Sequence, residues 1–159
     1  MVTSTPDQTD RTLEVVKEEK ISAPIGVVFE ALLEQLGPHF DTPEGSAFPM
    51  KLEPWPGGRW YRDLGDNAGH LWGHVQVIKP PALLEIYGPM FMSYPVAQHV
   101  QWRLTADGGA TRLTVTHRAF GPIAPEHRDG VGRGWSHILS RIREATGRRA
   151  AAQERKVER

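Results

Sequence analysis

The pattern that constrains this chain most lies in residues 131–145. The apolar residues of this segment recur at three- and four-residue steps, so they form one stripe along an α-helix. They are Val131, Trp135, Ile138, Leu139, Ile142 and Ala145. An amphipathic helix must bury such a stripe against another element. Most of the chain before it consists of short alternating segments separated by Gly and Pro, which predicts an antiparallel sheet curled around this helix.

Three glycines, Gly130, Gly132 and Gly134, alternate through the start of this helix. Each costs about 1 kcal/mol relative to Ala in a helix interior, so the first turns are expected to be weak. Two interpretations are open. The glycines either let a loop enter the helix or let backbones pack closely, or they leave room beside Trp135 for a bound molecule.

Composition excludes several classes of protein. The 159 residues predict one domain with a single core. Nineteen basic and nineteen acidic side chains cancel, which leaves no net field to attract nucleic acid or an anionic membrane. The absence of Cys excludes a disulfide framework, a thiolate metal site and a Cys nucleophile. No apolar run approaches the roughly 20 residues that span a bilayer, and no signal peptide is recognisable, so we expect a cytoplasmic protein without membrane insertion.

The chain divides into three parts. We expect residues 1–11 to form a disordered N-terminus, residues 12–147 to form a single domain, and residues 148–159 to form a charged tail that is either frayed helix or disorder.

The domain reads as a strand, a helix, a run of about six strands and the long helix, which makes it an α+β chain. The first strand covers 12–21, and the first helix starts near Pro24 and ends at Gly37-Pro38. Residues 38–49 have no period and predict a loop. The later strands include 50–55 and 58–64 around a Pro56-Gly57 turn, and a strand with Leu71, Gly73, Val75 and Val77 on one face.

Several motifs lie along this order of elements. They are Ile21-Ser22-Ala23-Pro24, Pro56-Gly57-Gly58-Arg59-Trp60, Gly73-His74-Val75-Gln76-Val77-Ile78-Lys79-Pro80-Pro81, Thr111-Arg112-Leu113-Thr114-Val115-Thr116-His117 and Gly134-Trp135. Their order and spacing resemble the SRPBCC superfamily, and more narrowly its branch related to the heat-shock-protein ATPase activators (Aha-type domains). The resemblance covers about residues 13–145.

This resemblance implies a helix-grip fold. In that fold a curved antiparallel sheet of six to seven strands holds the C-terminal helix, and a cavity between them takes an apolar small molecule. It implies no single reaction, because the superfamily includes lipid and hormone carriers, polyketide cyclases and co-chaperones. The chemistry therefore has to be argued from the residues that line the cavity.

Strand parity indicates which side chains face that cavity. Trp102 shares a face with Val100 and Leu104, and His117 shares a face with Leu113 and Val115. We expect Trp60 to point inward, which places Arg62 on the same face. The predicted ligand-binding residues are Trp60, Arg62, Met90, Met92, Tyr94, Trp102, His117, Trp135 and Leu139. The alternative for the three tryptophans is ordinary packing in an aromatic-rich core.

His117 is the candidate catalytic residue, because a buried imidazole can act as acid, base or ligand. The alternative is a hydrogen-bonded core histidine. The sequence predicts no metal site and no cofactor. His70 and His74 lie four residues apart on a strand, about 13 Å at strand rise, which is too far to share an ion.

Residues 88–97 form the least strand-like stretch of the second half and carry Met90, Phe91, Met92 and Tyr94 between two prolines. Flexible and aromatic side chains of this kind adapt to varied apolar partners. The stretch is interpreted as a cavity lid, as a contact of a homodimer, or as an edge strand over the core.

Two hypotheses for function follow. The first is a binding module that encloses an apolar or aromatic small molecule between the sheet and the last helix. The second is an enzyme of the cyclase or hydrolase kind, with His117 as acid or base and Arg62 or Tyr94 orienting the substrate. A third, a co-chaperone-like interaction domain, is implied by the resemblance alone.

Overall fold

The computed structural model describes residues 11–158 of the chain. The elements in chain order are β1 (Thr12–Ile21), α1 (Ile25–Leu36), β2 (Lys51–Leu52), β3 (Arg59–Gly65), β4 (Ala68–Lys79), β5 (Leu83–Tyr87), β6 (Ala97–Asp107), β7 (Ala110–Phe120) and α2 (Pro125–Val157). Of the predicted disordered N-terminus, residues 1–10 lie outside the described residues. Arg11 is tied to the end of β7, because its carbonyl oxygen accepts a hydrogen bond from the Gly121 N–H at 2.8 Å.

All seven strands form one antiparallel sheet in the order β1-β7-β6-β5-β4-β3-β2. Apolar residues alternate along β6 and β7, so each strand buries one face. The register pairs Trp102 with Val115 and Leu104 with Leu113, which places these four side chains on the face that α2 covers. The prediction of a curved antiparallel sheet around a long C-terminal helix is confirmed.

Helix α1 begins and ends where the sequence predicts. Pro24 precedes it with an extended backbone, and Gly37 closes it by donating its N–H to the Leu33 carbonyl oxygen at 3.1 Å. The apolar face of α1 is buried in the core, and α1 packs against α2.

Helix α2 is longer than the stripe that predicts it. It begins at Pro125, because the fixed φ of proline suits a first helical turn, and it extends through residues 148–157 to Val157. Beyond the sheet, Arg149 pairs with Glu30 of α1 at 2.9 Å. Among the residues that the structure describes, neither helix has a stretch long and apolar enough to cross a bilayer.

Strand β4 departs from simple alternation. The pairs of β3 and β4 step from Trp60–Gly73 to Tyr61–Leu71, which leaves Trp72 as the extra residue of a β-bulge. Trp72 is therefore buried, and Leu71 is 44% exposed. The prediction that Leu71 shares the buried face with Gly73 is wrong, since a bulge shifts the parity of every residue beyond it.

The predicted strand over 50–55 is too long, because β2 contains only Lys51 and Leu52. Pro54 and Pro56 have no N–H to donate to a neighbouring strand, so the chain leaves the sheet there. Trp55 consequently lies in the turn and is 54% exposed.

Candidate functional site

A cavity of about 340 Å³ opens between the sheet, the loop at 40–44 and the first turns of α2. Its walls are mostly apolar, and its aromatic lining residues are Phe40, Trp60, Trp72, Phe91 and Trp135. Sites for small molecules are commonly concave, mostly apolar and roughly 300–1,000 Å³ in volume. This cavity has the size and surface of such a site.

Gly130 and Gly134 provide the room on the helix side of the cavity. They lie four residues apart on one face of α2, and both line the cavity. A Cβ atom added at either position would have no other atom within 4 Å. Gly132 points elsewhere, since a Cβ there would lie 3.6 Å from Cε of Lys17. These glycines lie inside the helix, so the interpretation that they let a loop enter it is wrong.

On the sheet side, aromatic rings form a cluster around Trp72. The ring of Trp60 meets it edge-to-face with centroids 5.1 Å apart, and Phe40 does so at 5.5 Å. Phe91 lies 6.0 Å away on another side. The Trp60 Nε1–H donates to the Leu36 carbonyl oxygen at 2.7 Å, so this indole presents only apolar surface to the cavity.

His117 lies within a buried chain of hydrogen bonds that runs from Trp135 to Pro89. The Trp135 Nε1–H donates to His117 Nδ1 at 2.9 Å, which assigns the ring proton to Nε2. The Nε2–H then donates to Gln98 Oε1 at 2.7 Å. The Gln98 amide in turn donates to the Pro89 carbonyl oxygen at 2.5 Å and contacts Met92 Sδ at 3.2 Å. Both ring nitrogens are therefore occupied by the protein.

The electrostatics of His117 agree with this arrangement. Burial lowers the pKa of His117 from 6.5 to about 4, because a charged imidazolium would lose its hydration there. The ring is neutral at neutral pH and directs no free nitrogen at the cavity, which favours the hydrogen-bonded core histidine over an acid or base. Within 11–158, no three His, Cys, Asp or Glu side chains lie close enough together to hold a metal ion.

Asp41 holds the loop at 40–44 against α2. Its Oδ1 lies 2.7 Å from His137 Nε2, and its Oδ2 lies 3.0 Å from Arg141 Nε. The Asp41 side chain is only 17% exposed, so solvent screens its contacts with His137 and Arg141 less than those of an open surface pair. The loop wall is thus fastened to the helix wall.

Tyr94 fastens the 88–97 segment to the start of α2. Its hydroxyl oxygen accepts a hydrogen bond from the Ala124 N–H at 3.1 Å and lies 2.8 Å from His127 Nδ1. The Tyr94 and His127 rings are stacked, and Phe91 meets His127 edge-on at 5.0 Å. The segment is an irregular connection between β5 and β6, not an edge strand.

A family model described as "Activator of Hsp90 ATPase homolog 1-like protein" matches residues 22–147. This range contains every residue that lines the cavity. The chain belongs to the Activator of Hsp90 ATPase homolog 1-like family. The match confirms the resemblance to Aha-type domains of the SRPBCC superfamily that the sequence motifs carry.

Solved structures share the fold of this family member. Protein MLL2253 from Mesorhizobium loti has 20% identity over 85% of this chain and 97% of its own, with a TM-score of 0.66. An uncharacterized protein from Rhizobium leguminosarum has 21% identity over 86% and 95%, with a TM-score of 0.66. The di-domain ARO/CYC StfQ from the steffimycin biosynthetic pathway has 12% identity over 91% of this chain and 53% of its own, with a TM-score of 0.65. A search of curated proteins finds no match.

Four of the nine predicted ligand-binding residues line the cavity, namely Trp60, Met90, His117 and Trp135. Trp102 and Leu139 are buried but do not line it. Trp102 packs edge-to-face on Trp135 at 5.5 Å, so Trp135 separates it from the open space. Parity correctly places Trp102 under α2, but the Trp135 ring lies between Trp102 and the cavity.

The other three predicted residues also lie away from the wall. The Arg62 guanidinium lies 3.9 Å over the ring of Phe48, which itself packs 5.8 Å from Trp72, so Phe48 separates Arg62 from the cavity. Met92, which belongs to the 88–97 segment, is buried against Gln98. Tyr94 does not line the cavity, but it contacts His127, which does.

Sequence reasoning missed Trp72 and the loop wall at 40–44. The signal for Trp72 is the neighbouring Gly73, where a Cβ would lie 2.6 Å from the Tyr87 carbonyl oxygen. A glycine inside a strand pattern marks a bulge or a close backbone approach. The signal for the loop is that Phe40 and Phe48 interrupt an otherwise polar stretch.

Proposed function

We propose that this protein binds an apolar or aromatic small molecule in the cavity between the sheet and α2. The observation that carries the proposal is the pair Gly130 and Gly134, which face the cavity with open space where side chains would stand. Each glycine weakens the helix by about 1 kcal/mol relative to Ala. A domain that needed only a stable core would gain from larger residues at both positions.

The chemistry of the walls supports an apolar ligand. Aromatic rings line one side, and the indole N–H of Trp60 and that of Trp135 both have acceptors within the protein. A ligand that buries on the order of 200 Å² of apolar surface gains roughly 5 kcal/mol at about 25 cal/mol per Å². Part of that gain offsets the entropy lost on association.

We propose binding rather than acid–base catalysis because His117 has both nitrogens engaged. The ARO/CYC protein StfQ shares the fold at 12% identity, which supports use of this architecture around a small molecule without transferring a reaction. The co-chaperone alternative rests on the family's description alone.

The test uses N-phenyl-1-naphthylamine, a neutral aromatic dye whose emission rises in apolar surroundings. The wild type is expected to bind it, and Gly134→Leu to weaken binding at least tenfold, because the new side chain enters the cavity. Gly147→Leu is the matched control. It places the same side chain on α2 in open space away from the cavity, and its binding is expected to equal that of the wild type.

Equal affinity in Gly134→Leu and Gly147→Leu would overturn the proposal, as would a wild type that does not bind the dye. Circular dichroism of both variants shows whether each is folded. If Gly134→Leu fails to fold, Gly134→Val offers a smaller side chain for the same comparison.

A further inference from the structure

We infer that the ligand is a cation, an amine or quaternary ammonium attached to an apolar body. This inference rests on the proposed function, since it assigns a charge to the molecule that the cavity binds. It is carried by the charged groups at the cavity mouth and by the aromatic cluster behind them.

The charged side chains that line the cavity are acidic. They are Asp41, Glu44 and Glu126, and no Lys or Arg is among the described lining residues. Asp41 is committed to His137 and Arg141. Glu44 and Glu126 are exposed and have no hydrogen-bond or ion-pair partner within residues 11–158. Two unneutralised carboxylates therefore stand at the mouth, one on the loop wall and one on the helix wall.

The interior of the cavity can also hold a cation. A positive group within about 6 Å of an aromatic centroid is attracted to the negative face of the ring. The cluster already does this at its outer side, where the Arg62 guanidinium lies 3.9 Å over Phe48. Phe40, Trp60 and Trp72 continue the same cluster into the cavity. An ammonium group there is attracted to the aromatic rings, while the apolar part of the same ligand is buried.

The start of α2 favours an anion, because helix N-termini carry partial positive charge. Glu126 occupies the first turn and supplies a negative charge at that point. The neighbouring His127 has its Nδ1 engaged by the Tyr94 hydroxyl. A carboxylate ligand would thus meet Glu44 and Glu126, and no Lys or Arg among the described lining residues compensates them.

The experiment measures displacement of N-phenyl-1-naphthylamine by two competitors of similar shape and opposite charge, 2-naphthylmethyltrimethylammonium and 2-naphthylacetate. At low salt the cation is expected to compete at least tenfold more strongly than the anion. An exposed charge pair contributes up to about a fivefold change, so replacing both carboxylates in Glu44→Gln/Glu126→Gln should reduce the preference to within about threefold. High salt should reduce it in the wild type as well.

Glu154→Gln is the control, because it removes a negative charge from the far end of α2, away from the cavity. It should retain the preference of the wild type. Equal competition by the two ions in the wild type would overturn the inference while dye binding still supports the cavity. A preference that survives the double substitution would overturn the role of Glu44 and Glu126 and leave the aromatic cluster as its source. Failure of the dye itself to bind would instead overturn the proposed function.

Discussion

Two pairs of tryptophans in the core have nearly the same packing geometry and different surroundings. Trp102 and Trp135 meet edge-to-face at 5.5 Å, and Trp60 and Trp72 meet edge-to-face at 5.1 Å. Trp60 and Trp72 both line the cavity, whereas of the first pair only Trp135 does, and Trp102 is fully buried behind it in the closed half of the core. The sheet supplies a buried tryptophan to each half, Trp102 on β6 and both Trp60 and Trp72 on β3 and β4, so a lack of aromatic side chains on the sheet does not explain the cavity.

The helix explains it. Over the closed half, α2 presents buried apolar side chains, and these include Leu139 and Ile142. Over the open half it presents Gly130 and Gly134. Cores pack densely when both surfaces contribute side chains. A cavity of this size therefore follows from the absence of side chains at Gly130 and Gly134.

Truncation of Trp102 tests the closed half and has the largest expected effect. Trp102 is fully buried, so Trp102→Ala is expected to lower the free energy of unfolding by about 3–5 kcal/mol, as large aromatic truncations do. Trp72→Ala should lower it less, because Trp72 already borders open space. Urea unfolding of both variants measures the difference, and equal losses would break the comparison.

The pH dependence of stability tests the hydrogen-bond chain between the halves. The unfolded chain takes up a proton at His117 near pKa 6.5, whereas the folded ring stays neutral down to about 4. The unfolded state thus binds more protons in this window, and stability falls as pH drops through it. Relative to His117→Gln, the wild type should lose about 3 kcal/mol more between pH 6.5 and pH 4. Unfolding curves that stay parallel with pH would show that His117 is accessible to protons.

The smallest expected effect is a gain in stability from a substitution in the open half. Gly134→Ala should raise the free energy of unfolding by about 1 kcal/mol, because it favours the helix and its Cβ meets no atom within 4 Å. Ala145→Leu, in the closed half, should instead be destabilising because that site is already packed. Thermal unfolding of the two variants gives the sign of each change. A loss in Gly134→Ala would mean that the cavity wall is closed there.

Much of the fold was predictable because it depends on local patterns. The stripe on α2 and the alternation of β6 and β7 each bury one face, and the period of an element determines that face. Pro24 and Gly37 mark the ends of α1 by their backbone preferences. Parity also placed Trp102 and His117 on the face under α2, where both are buried.

The cavity wall was only partly predictable, because it depends on contacts between distant segments. The bulge at Trp72 reverses the parity on which the strand prediction relied. Phe40 reaches the wall because Asp41 is held by His137, 96 residues further along the chain. Whether His117 is an acid or a structural group depends on Trp135 and Gln98, which belong to other elements.

The elements, their order and the apolar faces that must meet follow from local sequence patterns, because periodicity and turn residues act over a few neighbours. That Gly130 and Gly134 face the same space as Trp72 and Phe40 depends on how distant segments pack together. The cavity lies between several elements, so the sequence of no single segment encodes it. It exists where two glycines of α2 face a bulged strand and a loop that an ion pair holds in place.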